Sequence, residues 1–227
     1  KKTSASVSMS VLDLKMEFDN NITNKIANAN GDLQTTNIGR TLMSPRVTNY
    51  SSNFNVRHKF DTLGTELNFD ADYINYRDKH KQQFYNSFYN STGTLINKPD
   101  TLYGSLPTGY TIYATKADFS KPLNKDTKLD IGAKFSYVES DNNIQFDSII
   151  NNNRTVDITR TNHFIYKEQI VAGYANLNTK ISKKISMQAG LRYEQTIGKG
   201  NSITNKTTFT NNYQQLFPTL YLSYEAS

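Results

Sequence analysis

The stretch VAGYANLNTKISKKISMQAGLRYEQT, Val171 to Thr196, decides how this chain folds. Val171, Ala175, Leu177, Ile181, Ile185, Met187, Ala189, Leu191 and Tyr193 share one parity, and Asn176, Asn178, Lys180, Ser186, Gln188, Arg192 and Glu194 share the other. Alternation with a period of two belongs to strands, one face apolar and one polar. Ser182 to Lys184 is then the tight turn that joins them. What covers the apolar face sets the fold class, because a soluble sheet must bury that face under a second layer.

The same reading along the 227 residues predicts eight strands: Thr3 to Phe18, Asn49 to Phe60, Thr65 to Tyr76, Gly109 to Lys121, Thr127 to Glu139, Ile165 to Ile181, Ile185 to Ile197 and Tyr213 to Tyr224. In the first, the apolar parity switches after Val11, which a bulge there would reconcile. The connections alternate. Asp61 to Gly64, Pro122 to Asp126 and Ser182 to Lys184 are short turns, whereas Asp19 to Thr48, Arg77 to Thr108, Ser140 to Phe164 and Gly198 to Asn212 are long. Short periplasmic turns alternating with long extracellular loops is the plan of a transmembrane β-barrel, and it puts both ends of this stretch on the periplasmic side.

Three hairpins test the registers. With Phe60 against Thr65, His58, Val56 and Phe54 oppose Leu67, Phe69 and Ala71, while Lys59 opposes Glu66 and Asn55 opposes Asp70. With Ile181 against Ile185, Leu177 and Ala175 oppose Ala189 and Leu191, while Tyr174 meets Arg192 and Ala172 meets Glu194. With Lys121 against Thr127, Phe119, Ala117 and Tyr113 oppose Leu129, Ile131 and Phe135. Each hairpin sorts into two faces, which a slip of one residue would mix. Arg57, Lys59, Glu66, Asp70, Lys134, Arg192 and Glu194 are the candidate lumen-facing polar residues.

Composition narrows the class. A mean hydropathy of −0.65 and 27 Asn would suit a disordered chain, but the alternation contradicts disorder. Cysteine is absent, which removes disulfides, thiolate metal sites and a Cys nucleophile. No run approaches the roughly 20 apolar residues of a membrane helix, yet a β-barrel needs only weak alternation over about ten residues. The net charge of +6 is scattered among Asn, Asp and Glu, so no nucleic-acid stripe forms. All strands are spent on hairpins and no amphipathic helix remains to cover the apolar face. Lipid is the simplest cover. It also accounts for Tyr73, Tyr113, Tyr137 and Tyr193 near the long-loop ends of their strands, where a membrane interface favours Tyr.

KADFSKPLNKDTKLDIGAKFSY (Lys116 to Tyr137), FIYKEQIVAGYANLNTKISKKISMQAGLRYEQT (Phe164 to Thr196) and YQQLFPTLYLSYE (Tyr213 to Glu225) resemble the outer-membrane β-barrel family allied to TonB-dependent receptors, of the Bacteroidetes type. The resemblance runs from about Asn49 to Glu225. It implies an all-β, antiparallel up-and-down transmembrane barrel in the bacterial outer membrane, with these eight strands a segment of a larger barrel. It further implies uptake of a nutrient by the full-length protein, no catalysis and no cofactor. The partners implied are outer-membrane lipid and lipopolysaccharide, TonB, a surface lipoprotein and a nutrient ligand. Residues 1–227 read as part of one barrel domain without plug or N-terminal domains. Two alternatives stay open: a small closed eight-stranded barrel acting as anchor or adhesin, and a soluble β-sandwich that binds carbohydrate.

Site chemistry is sparse. His58, His80 and His163 lie in separate segments with no shared spacing. Asn68, Asp70 and Asp72 could offer oxygen ligands to Ca²⁺, but Asn55, Arg57 and Lys59 face them, so a charge-compensated lumen wall is the better reading. GKG at Gly198 to Gly200 reads as a loop opening, and QFYNSFYN at Gln83 to Asn90 as a hairpin continuing above the membrane or a stacking surface. The small inward residues Ser51, Gly132, Ser136, Ala172 and Gly190 suit the wall of a wide barrel.

Overall fold

The computed structural model describes residues 2–150 and 153–225. Among them no helix occurs, and thirteen strands join in one antiparallel sheet. They are β1 (Thr3–Lys15), β2 (Phe18–Ala27), β3 (Leu33–Met43), β4 (Arg46–Lys59), β5 (Glu66–Lys79), β6 (Lys81–Asn90), β7 (Asp100–Ser105), β8 (Thr108–Pro122), β9 (Thr127–Ile150), β10 (Asn153–Val156), β11 (Asn162–Lys180), β12 (Ile185–Ser202) and β13 (Thr207–Tyr224).

The eight expected strands are present as β1, β4, β5, β8, β9, β11, β12 and β13, each paired with the next in that order. The expected long loops are not loops. β2, β3, β6 and β7 carry the same arms upward, β2 on β3, β3 on β6, β6 on β7 and β7 on the upper part of β9. β9 alone runs 24 residues, about 80 Å at strand rise, where about ten residues cross a bilayer. Period-two patterning failed to show these extensions because their ladder pairing does not require an apolar parity.

The arms break at one level. The breaks fall at Met16–Glu17, Ser44–Pro45, His80 and Leu106–Pro107. Pro45 and Pro107 have no N–H to give a ladder. Neighbouring backbone groups bridge the seam instead: Met16 N–H donates to Pro45 O at 3.0 Å, Ser44 N–H to Lys81 O at 2.9 Å, Leu106 N–H to His80 O at 2.8 Å and Asn143 N–H to Pro107 O at 3.1 Å.

Two of the three expected registers hold, Val56 opposite Phe69 and Ala175 opposite Leu191 among them. The β8–β9 hairpin is offset by two residues. Phe119 opposes Ile131 and Tyr113 opposes Tyr137, because the turn closes with Leu123 N–H on Thr127 O at 2.8 Å. An offset of two leaves every side chain on its expected face. The expected bulge at Val11 does not exist. Pairing with β4 is unbroken from Thr3 to Lys15, so Leu12 and Leu14 sit on the polar face opposite Asn49 and Val47.

The burial is inverted relative to a soluble protein. Among the described residues Ala172 is the one buried hydrophobic side chain, and it lies on the polar face. On that face Thr196 is 5% and Ser140 9% exposed, whereas Val171 and Leu191 on the apolar face are 53% and 52% exposed. No second layer covers the apolar face, which removes the β-sandwich. β1 and β13 each pair on one side only, so the described strands form an open wall and not a closed eight-stranded barrel.

Candidate functional site: the polar face of the wall

The apolar face ends at a band of tyrosines. Tyr73 lies 5.1 Å from Tyr113, and Tyr113 lies 6.2 Å from Tyr137, ring centre to ring centre. Tyr193 stands apart, opposite Gly173. Directly above Tyr73 and Tyr137 the same face turns polar: Asn75 donates to Thr111 Oγ1 at 3.1 Å, and Lys167 pairs with Glu139 at 3.2 Å. From Leu129 to Tyr137 the apolar stripe of β9 is about 27 Å long along the strand, or about 20 Å once tilted, close to the usual outward band of about 25 Å.

The other face carries a polar network. The register places Arg57, Lys59, Glu66, Asp70, Lys134, Arg192 and Glu194 together on it. Arg57 donates to Glu66 Oε2 at 2.6 Å, so the cation expected to face the Asp row serves Glu66. Asp70 and Asp72 instead accept from Asn55 at 2.7 Å and Asn53 at 2.8 Å. Lys59 and Lys134 stay exposed.

Toward β12 the network tightens. The Tyr174 hydroxyl donates to Asp118 Oδ1 at 2.5 Å, and Lys116 Nζ reaches the other oxygen at 2.7 Å. The Tyr174 ring lies over Gly132, where any Cβ would overlap it. Arg192 sits 5.2 Å from the centre of that ring and pairs with Glu194. Asp130 accepts from Ser120 at 2.5 Å and Asn178 at 2.9 Å. Of the small inward residues, Gly132 seats the Tyr174 ring and Gly190 the Asn176 amide in place of open space.

One constellation was not read from the sequence. Tyr76, Tyr110, Ser140, Tyr166, Gly200 and Phe209 follow one another in register across the polar face. Tyr76 and Tyr110 are 5.9 Å apart, and Phe209 lies 6.4 Å from both Phe164 and Tyr166. Gly198 and Gly200, expected in a loop, lie inside β12, where Tyr166 and Phe209 take the room a Cβ would need. Beside this shelf, Asn49 Oδ1, Asp78 Oδ1 and His80 Nε2 are buried without a partner. The signal was available as aromatics on the polar parity, which no burial pattern required.

The histidines make no catalytic set. His58 bonds Thr3 at 2.8 Å on the apolar face, His163 bonds Asp141 at 2.8 Å, and His80 lies 3.9 Å from Asp78. Among the described residues no three metal-ligating side chains cluster.

Residues 58–227 match the model of the outer membrane protein beta-barrel family. No curated protein matches the chain. Among solved structures the chain is similar to the ferric citrate transporter FecA in its unliganded form, at 11% identity and a TM-score of 0.45, over 99% of this chain and 42% of that one. It is also similar to the ferric yersiniabactin uptake receptor FyuA from Yersinia pestis, at 13% identity and a TM-score of 0.41, over 97% and 40%. For the siderophore receptor PiuA from Acinetobacter baumannii the values are 10% and 0.45, over 99% and 47%. The chain spans less than half the length of each of these proteins. With its apolar face bare, its polar face networked and three quarters of its length matched, the chain belongs to the outer membrane protein beta-barrel family of the bacterial outer membrane.

Proposed function

We propose that this wall is an arc of a larger barrel of the TonB-dependent-receptor type, with its apolar face on lipid and its polar face on the lumen. The full-length protein takes up a nutrient through it and catalyses nothing. The inverted burial supports the orientation: charged groups are paired on one face while Val171 and Leu191 stand bare on the other. The aromatic shelf of Tyr76, Tyr110, Tyr166 and Phe209 is the surface for the ligand, since rings on a lumen wall stack on flat ligand faces and polar atoms beside them fix orientation. TonB and a surface lipoprotein act on the full-length protein, and nucleic acid is no partner.

Spin labels at Leu191 and Arg192 test the orientation. A lipid-soluble quencher reaches the first and a water-soluble quencher the second, and equal access at both would refute it. Uptake is tested by growth on limiting nutrients. Deleting the gene and replacing Tyr76 and Tyr110 by Ala should produce the same nutrient-specific defect, and loss of TonB should mask both. Unchanged growth of the deletion on every nutrient tried would remove the uptake reading.

A further inference from the structure

We propose that the shelf takes an organic cation, with its ammonium or guanidinium group seated over Tyr76 and Tyr110 beside Asp78. This names a ligand class for the surface proposed above and rests on that reading.

Charge is sorted between the two faces. From the row of Ile74, Ile112 and Val138 upward, every strand Lys and Arg among the described residues falls on the outward parity, Arg46, Arg77, Lys79, Lys81, Lys167 and Lys199 among them. The Arg77 guanidinium lies over Gly109 and donates to the carbonyls of Tyr76 at 3.0 Å and Tyr110 at 3.3 Å, on the far side of the sheet from their rings. Below that row cations return to the inward face, most of them paired: Arg57 with Glu66, Lys116 with Asp118, Lys128 with Asp130 and Arg192 with Glu194. Above it, among the described residues, the inward carboxylates Asp78 and Glu168 have no Lys or Arg partner. Glu168 accepts from the Tyr166 hydroxyl at 2.8 Å. The one basic group within ion-pair distance of Asp78 is His80, at 3.9 Å, charged only when protonated.

The rings stand beside this charge. Tyr76 is two residues below Asp78 on the same strand and face, in register with Tyr110 on one side and Asn49 on the other. The two ring centres are 5.9 Å apart with their planes inclined at 44°, and Tyr110 is 38% exposed. A cation above the pair can lie within about 6 Å of both centres, where the negative ring faces attract it. Asn49 Oδ1 and Asp78 Oδ1 are buried without a partner, so water screens neither and both add negative potential at the rings. An anionic ligand would meet repulsion there and no Lys or Arg to hold it. A neutral one would leave the Asp78 charge unanswered.

The experiment uses the full-length protein in mild detergent and three probes of one shape. These are choline, the neutral alcohol in which a tert-butyl group replaces the trimethylammonium group, and the carboxylate with the same tert-butyl group. Binding is measured by saturation-transfer NMR at mildly alkaline pH, where histidine is generally neutral. Choline binds about ten-fold more tightly than the neutral alcohol, the scale of a partly desolvated cation–π contact with a carboxylate beside it, and the anion does not bind. Asp78→Asn brings choline down to the level of the neutral alcohol and leaves the alcohol unchanged. Glu139→Gln removes a negative charge from the outward face at a similar height and changes neither, which separates a local effect from one of net charge. Heat resistance verifies folding. If Asp78→Asn does not fold, Tyr110→Leu, which keeps apolar volume without the ring, is read on the same scale and must weaken choline alone. Equal binding of choline and the alcohol, preference for the anion, absence of choline binding, or undiminished choline binding in these variants would each overturn the assignment. Failure of the uptake reading shows separately, as unchanged growth of the deletion strain, and failure of the orientation as water-soluble quenching at Leu191.

Discussion

Gly132 and Gly173 lie on neighbouring strands and face opposite ways, and their surroundings differ accordingly. A Cβ at Gly132 would overlap the Tyr174 ring, whereas at Gly173 it would meet nothing within 4 Å. Gly132→Val must therefore displace Tyr174 from Asp118 and from under Arg192. We expect a loss of about 1–3 kcal/mol, the usual range for overpacking, measured as a lower urea midpoint for the folded barrel. Gly173→Ala adds a methyl group to the lipid face at no steric cost and removes glycine's backbone freedom in the unfolded chain, so its midpoint stays or rises. Equal losses at both positions would show that Tyr174 does not rest on Gly132.

At the scale of elements, the short turns and the tall arms behave differently. In the β4–β5 turn the Asp61 carboxylate accepts from the amides of Leu63 at 2.9 Å, Gly64 at 3.0 Å and Thr65 at 2.9 Å. The Thr65 side chain, followed by its amide, holds the Asp61 carboxyl below its usual range. A depressed folded pKa means that the ionised form favours the fold. This contribution is complete above the unfolded value of about 3.9 and is lost as pH falls through the folded value. A carbon-13 titration of the Asp61 carboxyl should have its midpoint below 3.9, and Asp61→Ala should abolish the acid-side loss of order in this turn. The arms give a topological prediction. Because β2, β3, β6 and β7 are ladder-paired, protease added to intact cells should cut at their tips, as at Lys98 between β6 and β7, and not along the strands. Lys125 and Lys183 in the short turns should be spared. Cleavage at Lys125 from outside would reverse the topology.

On the scale of the whole molecule, the open edges dominate. β1 and β13 leave one row of N–H and C=O groups each without strand partners, and every residue of both strands is exposed. In hydrocarbon each unsatisfied group costs several kcal/mol, and a bare edge is also a template for pairing. The 227-residue chain refolded by itself in detergent should therefore associate through these edges, seen as multimers by light scattering with fast amide exchange in any edge left unpaired. A monodisperse monomer with slow exchange in both β1 and β13 would mean that the arc closes on itself.

The sequence by itself determined the two-faced strands, their order, the apolar parity and the registers of the β4–β5 and β11–β12 hairpins, because along these stretches one face is apolar and the other a polar wall, so the period of two must show. It also placed all seven candidate polar residues on one face, since parity survives even the two-residue offset at β8–β9. Only the tertiary structure decided what lies above Tyr73 and Tyr137. There Asn-rich segments pair as strands without leaving an alternating trace. Seating Tyr174 on Gly132, Phe209 on Gly200 and Arg77 over Gly109 depends on neighbours up to 56 residues apart, as Tyr174 and Asp118 are, and no local pattern encodes such contacts.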